Sequence, residues 1–302
     1  MVGGAFWTTE QIDVVKRYNM SHLLKSSPFY GGNSDIRKAE IDFSPSLLEK
    51  SHLDKIEKIY SAVNQDTYAL KTFMGDMHIC GKNFVTYNYQ ELMYNSILNN
   101  RFLSILASRQ SGLSTIISIF VLHTAIVKRD CDIIIICNMR ESGKSLIDKI
   151  KHLYLQLPFY AKPGVHAWND TSIKFDKNCN IRCEQSKHIL SLDSRKTTIL
   201  IVDQPMWMTD KKARIVKECI LETKIVNPAS NRVIMLQSGL GGYNLLTDYF
   251  TNNDSFHSVR YSYDLISGEL GPEFEKRVND MKRIIGEDVY NREWMLKWVS
   301  KN

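Results

Sequence analysis

Ala107-Ser108-Arg109-Gln110-Ser111-Gly112-Leu113-Ser114-Thr115 lies between two apolar runs, Phe102 to Leu106 before it and Ile116 to Leu122 after it. A short apolar run, a glycine-containing turn and a longer apolar run opening on hydroxyl residues spell strand, turn and buried helix. That is the layout of a phosphate-binding loop. In such a loop, backbone N–H groups and the positive end of the helix hold the phosphates. A lysine neutralises the β/γ charge, and a Ser or Thr hydroxyl ligates Mg²⁺. Gly112, Ser114 and Thr115 stand in their expected places, and Leu113 occupies the position of the lysine.

A phosphate loop of this kind works with a buried strand ending in a carboxylate. Thr198-Ile199-Leu200-Ile201-Val202-Asp203-Gln204 has that form, with Asp203 placed to ligate Mg²⁺ at the carboxyl edge of a parallel sheet. The following position is commonly a glutamate that takes a proton from the attacking water; Gln204 can orient a water but cannot accept its proton. Both groups most needed for hydrolysis are therefore altered.

Ser108-Arg109-Gln110-Ser111-Gly112-Leu113-Ser114-Thr115 resembles the Ser-Arg-Gln-x-Gly-Lys-Thr-Thr loop of the phage terminase large subunit, in its N-terminal ATPase domain. Further similarities follow in order: Tyr89-Gln90, the hairpin-like His166-Ala167-Trp168-Asn169-Asp170-Thr171-Ser172-Ile173, the strand Val233 to Leu236 with Gln237-Ser238-Gly239, and Tyr243 to Phe250, similar to the helix that follows. The similarity spans roughly residues 85 to 300. It implies an α/β P-loop NTPase fold of the ASCE type, with a mainly parallel sheet flanked by helices. It also implies ATP and Mg²⁺ as cofactors. Tyr89 and Gln90 would meet adenine; Ser108, Gln110, Gly112, Leu113, Ser114 and Thr115 would surround the phosphates; Ser114 and Asp203 would ligate Mg²⁺. Arg109 would act on the γ-phosphate, Gln204 would stand at the catalytic carboxylate's position, and Gln237, Ser238 and Gly239 would couple nucleotide state to movement. The implied function is translocation of double-stranded DNA into a capsid, with hydrolysis impaired by Leu113 and Gln204. The implied partners are DNA, a portal, a small terminase or a separately encoded nuclease or terminase subunit, and further copies in a ring. The alternative is a non-catalytic accessory or scaffolding paralogue docking on a portal, a capsid or an active terminase. The resemblance stops near Trp298, where the family's nuclease domain begins, so no nuclease activity is expected from this chain.

A second stretch competes for the phosphates. Asn138-Met139-Arg140-Glu141-Ser142-Gly143-Lys144-Ser145 also follows an apolar strand, and it holds the Gly-Lys-Ser that the first loop lacks. Its leading residue is Asn rather than Gly, and the order of the other motifs favours the first loop. A third arrangement has Lys144 reaching phosphates held by the Leu113 loop.

The 302 residues, 43% hydrophobic, suffice for one large core. The expected organisation is a helical N-terminal extension over 1–80, an ATPase core over 81–265 and a helical lid or linker over 266–302. Within the extension, Pro45-Ser46-Leu47-Leu48-Glu49 reads as a capped helix start and Leu53, Ile56, Ile59 and Val63 as its apolar stripe. In the tail, Phe274, Val278, Met281, Ile284 and Ile285 form another stripe suited to a covering helix or a partner. The net charge of +6 is spread along the chain, compatible with DNA contact but equally with an ordinary surface. No run is apolar over the roughly 18 residues of a membrane span, and the first residues lack a signal-peptide pattern, so the host cell cytoplasm is the expected location. Cys131 and Cys137 flank an isoleucine run and suit a core. Cys179 and Cys183, with His188 beyond, make at most half of a zinc site and read as structural.

Overall fold

The computed structural model describes residues 78–79, 82–83, 86–128, 130–157, 163–175, 178–185, 197–226, 230–251 and 255–297. The capped helix expected over residues 46 to 63, His188 and Trp298 lie outside them. Strands β1 (His78–Ile79) and β2 (Lys82–Asn83) pair antiparallel. The remaining strands are β3 (Phe102–Ala107), β4 (Asp132–Cys137), β5 (Val165–Asn169), β6 (Ser172–Phe175), β7 (Asn180–Gln185), β8 (Ile199–Asp203), β9 (Arg232–Ser238) and β10 (His257–Tyr261). They form one eight-stranded sheet in the order β10-β3-β9-β8-β4-β7-β6-β5. The helices are α1 (Asn88–Asn99), α2 (Leu113–Val127), α3 (Arg140–Gln156), α4 (Asp210–Val226), α5 (Tyr263–Leu270), α6 (Pro272–Ile285) and α7 (Glu287–Glu293).

The chain divides into two compact units. One comprises Thr86–Ser118, Asp132–Leu146 and Arg182–Asn302. Here β10, β3, β9, β8 and β4 run parallel to one another. Parallel strands covered on both faces must be apolar on both, which is why Ile133 to Ile136, Ile199 to Val202 and Val233 to Leu236 read as unbroken aliphatic runs and are all buried. Ser104, buried in this core, is bonded: its Oγ donates to the Tyr249 carbonyl at 2.6 Å. Arg232 donates to the carbonyls of Ile97 (2.6 Å) and Leu98 (2.9 Å), satisfying orphan acceptors at the C-terminus of α1.

The other unit comprises Met1–Val85, Ile119–Cys131 and Ile147–Ile181. Its hairpin joins β5 and β6 antiparallel through Asp170-Thr171. Tyr154 anchors it, with its ring 5.3 Å from Trp168 and 5.6 Å from Phe175 and its hydroxyl donating to the Pro163 carbonyl at 2.7 Å. Trp168 is thus a packing residue.

The strands expected from aliphatic runs are found within one or two residues. Beside the short pair β1–β2, two strands of the large sheet carry no such run and were not expected: β7 alternates buried Ile181 and Cys183 with polar residues, and β10 is largely exposed. The segment Tyr243 to Phe250 holds only a 3-10 turn, Thr247–Phe250, rather than a full helix. The tail is three helices, because Gly271 (φ 78°) and Gly286 (φ 85°) interrupt it with positive φ and extended ψ, a conformation open to glycine. On α6 only Val278 of the stripe is buried, and Ile284 is 80% exposed.

Candidate nucleotide site

β3 delivers the loop to the carboxyl edge of the sheet, and α2 opens at Leu113. Gln110 (φ 63°) and Gly112 (φ 82°) both adopt left-handed backbone, folding the loop back over the helix end. A Cβ at Gly112 would also lie 2.5 Å from Gln90 Nε2, so any side chain there would have to displace the Gln90 amide. The Gly112 carbonyl starts the helix by accepting from Thr115 N (2.8 Å) and Ile116 N (3.0 Å). Leu113 is only 5% exposed, Ser114 is exposed and Thr115 half-buried. Ser111 Oγ is buried without a hydrogen-bond partner.

Tyr89 and Gln90, at the start of α1, grip this loop from one side. Tyr89 Oη donates to the Ser111 carbonyl at 3.1 Å and Gln90 Nε2 donates to the same oxygen at 3.2 Å, while Gln90 Oε1 accepts from Tyr87 N at 3.3 Å. Burial, with the charges of Tyr87 and Glu269 adding, pushes the Tyr89 phenol up and keeps it a donor. Both ends of the Gln90 amide are thus engaged with backbone.

Asp203 ends β8, and its register partners are Cys137 on β4 and Leu236 on β9. The Cys137 thiol lies 3.9 Å from Asp203 Oδ2 and 3.5 Å from Cys183 Sγ. The contact with Cys183, then burial, raises the Cys137 thiol far above its ordinary range, so it stays neutral beside the carboxylate. Cys179 Sγ instead donates to the Lys128 carbonyl at 3.1 Å.

Gln204 sits in left-handed backbone (φ 57°) directly after the strand. Its Oε1 accepts from Gln237 Nε2 (3.1 Å) and Ser238 N (3.3 Å). Gln237, fully buried, also donates to the Gly239 carbonyl (2.8 Å) and accepts from Met206 N (3.1 Å). The residue after the acidic strand is therefore wired to the Gln237-Ser238-Gly239 turn. Asn244 extends the same network: its Nδ2 donates to Pro205 O (2.9 Å) and Met208 O (3.0 Å), and its Oδ1 accepts from Leu246 N (2.9 Å). Asn244→Ala would leave the Met208 carbonyl and the Leu246 N–H without this partner, while Pro205 O keeps its bond from Met208 N, and a loss of about 2–4 kcal/mol is expected in urea denaturation.

The competing stretch has a different local structure. α3 begins at Arg140, so Gly143, Lys144 and Ser145 lie inside the helix rather than in a loop before it. Gly143 is buried where a Cβ would overlap Cys183 Sγ. Asn138 is committed elsewhere, accepting from Lys212 Nζ at 2.8 Å and donating to the Trp207 carbonyl at 3.0 Å. Lys144 is exposed on α3.

Arg109 is held by a residue that sequence reading missed. Its Nε meets Glu293 Oε2 at 2.5 Å, and its backbone N donates to the Glu293 carbonyl at 3.0 Å. Glu293, at the end of α7, also accepts from Arg292 Nε at 3.3 Å. Its carboxylate fills the space beside Gly239, where a Cβ would overlap it, and Leu240 N donates to the Arg292 carbonyl at 3.0 Å. Nothing in Asn291-Arg292-Glu293-Trp294 distinguishes a buried carboxylate from a surface one; only the fold brings it to the loop.

A parallel sheet with the loop strand β3, the acidic strand β8 and β9 between them defines a P-loop NTPase fold. Within that class it is the fold of phage large terminase ATPase domains. The Thermus phage P74-26 large terminase ATPase domain superposes with TM-score 0.55 at 13% identity, over 72% of this chain and 95% of that one. The large terminase of bacteriophage HK97 gives TM-score 0.58 at 11% identity, over 74% of this chain and 53% of that one. The large terminase of a thermophilic bacteriophage, solved in complex with ADP, gives 0.54 at 10% identity, over 70% and 54%. This chain thus spans about half the length of the full large terminases it matches. No family model matches the sequence. Among the described residues no helix is long and apolar enough to cross a membrane.

Proposed function

We propose that this chain is the ATPase module of a phage DNA-packaging motor, binding Mg·ATP between the Ser108 to Thr115 loop and Asp203, and hydrolysing it poorly. The observation that carries the reading is the hydrogen-bonded path from Gln204, next to Asp203, to the Gln237-Ser238-Gly239 turn. Such a path lets a change at the metal carboxylate reach the strand between it and the loop. The placement of Gly112 immediately before α2 supports the first loop over the Asn138 to Ser145 stretch. Like the solved terminase that holds ADP, the chain would take an adenine nucleotide. In this reading Ser114 and Asp203 hold Mg²⁺, Thr115 and the loop N–H groups hold phosphate, and Tyr89 with Gln90 shape the loop from its base. Double-stranded DNA and a portal are the macromolecular partners of the packaging role.

Leu113 and Gln204 favour a second reading, an accessory subunit that keeps the fold without turnover. The two readings separate on nucleotide binding. Titration with a fluorescent ATP analogue is expected to show Mg²⁺-dependent binding in the micromolar to millimolar range, weakened about tenfold or more by Asp203→Ala. Absence of saturable binding at millimolar ATP would overturn the motor reading and leave the accessory one.

A further inference from the structure

We propose that Arg292, which shares the carboxylate of Glu293 with the loop arginine Arg109, brings a second guanidinium to the terminal phosphate of a nucleoside triphosphate, completing a two-arginine clamp that supplies in cis the charge that Leu113 does not. The proposal rests on the nucleotide reading for the identity of the ligand, though not for the anion site itself. Glu293 is 7% exposed, and its two oxygens are shared out, Oε2 to Arg109 Nε and Oε1 to Arg292 Nε. Through one carboxylate the two guanidiniums are held within reach of a single phosphate. Their charges exceed that of Glu293 by one, so the cluster carries net positive charge. The Arg109 and Arg292 side chains are 45% and 43% exposed, and among the described residues their Nη atoms have no hydrogen-bond partner. A planar guanidinium held at Nε with its Nη edge open is suited to a phosphate.

Position points the same way. Arg292 is tied to three sides of the site at once: to the loop through Glu293, to the coupling turn through Leu240 N, and to the turn after Gln204 through Trp207, whose ring centroid lies 6.0 Å from its guanidinium. The inner phosphates of a bound nucleotide would lie against the loop backbone at Gly112 and Leu113. The loop also holds a buried hydroxyl without a hydrogen-bond partner, Ser111 Oγ. Glu293 competes with the phosphate for both arginines, so its charge sets how tightly the clamp holds.

That competition gives variants of opposite sign, which a purely structural role for the cluster would not. Isothermal titration of the full chain with Mg·ATP, Mg·ADP and inorganic tripolyphosphate is the experiment, with thermal melts to confirm folding. Arg292→Ala is expected to weaken ATP and tripolyphosphate binding about tenfold or more and ADP less, with Arg292→Lys recovering part of the loss. Glu293→Gln, which keeps an acceptor but removes the competing charge, is expected to tighten ATP several-fold. Equal ATP affinity in the natural chain, Arg292→Ala and Glu293→Gln overturns the clamp while leaving nucleotide binding intact. Tripolyphosphate binding that Arg292→Ala abolishes, in a chain that binds no ATP, keeps the clamp and overturns the nucleotide reading. No binding of any of the three ligands overturns both.

Discussion

Leu113→Lys combined with Gln204→Glu is expected to raise ATP turnover on the order of 10²-fold or more, measured as phosphate release with double-stranded DNA present. The loop lysine stabilises charge on the transferring phosphoryl group, and a carboxylate after Asp203 accepts the water's proton; each is typically worth a few kcal/mol of barrier. The second change is compatible with the network around it, because a carboxylate can still accept from Gln237 Nε2 and Ser238 N. The first carries a cost that makes it diagnostic. Leu113 is almost fully buried at the first position of α2. An ammonium there is desolvated and faces the positive end of the helix dipole, so without ligand the Lys variant should be about 1–3 kcal/mol less stable. Bound triphosphate reverses both penalties. The rise in melting temperature on adding Mg·ATP should therefore be larger for Leu113→Lys than for the natural chain. Lys144→Ala, on the exposed surface of α3, should change neither quantity. Loss of nucleotide binding in Lys144→Ala, with no gain in the double variant, would move the phosphate site to the Asn138 to Ser145 stretch.

The parts of the fold that sequence revealed are those where burial leaves one choice of residue. A parallel strand covered on both faces must be aliphatic throughout, so β3, β4, β8 and β9 were legible to within a residue or two. The loop was legible because Gly112, in left-handed backbone directly before α2, sits where the strand–turn–helix pattern asks for a glycine. β7 and β10 were not, since strands with one exposed face carry mixed residues that resemble loops. The second Gly-Lys-Ser showed the limit of motif reading: its residue order is right, but α3 starts at Arg140, four residues before Lys144, so the stretch forms no loop. The least legible element was long-range. Gln90 as a brace for the Ser111 carbonyl and Glu293 as the partner of Arg109 depend on contacts across 21 and 184 positions, which no local pattern encodes.

Gln237 carries the second large effect, because three polar groups bond to one fully buried side chain. Its amide donates to Gln204 Oε1 and the Gly239 carbonyl and accepts from Met206 N, and it is completely buried. Gln237→Leu, similar in volume, would leave the Met206 N–H and the Gly239 carbonyl without partners, at about 1–3 kcal/mol each. A total loss of about 3–5 kcal/mol is expected in urea denaturation, large beside the stability of an ordinary domain. Gln237→Glu tests the same geometry through pH. An ionised carboxylate would face two acceptors, Gln204 Oε1 and the Gly239 carbonyl, in a buried site. Its folded pKa is therefore raised above the unfolded value near about 4.3. The native state then binds the extra proton, and stability falls as pH rises through that range and above it. The urea midpoint of Gln237→Glu, relative to the natural chain, should be highest near pH 4 and decline toward pH 7. A relative midpoint that is flat with pH, or a Gln237→Leu variant as stable as the natural chain, would show that the amide does not hold the turn.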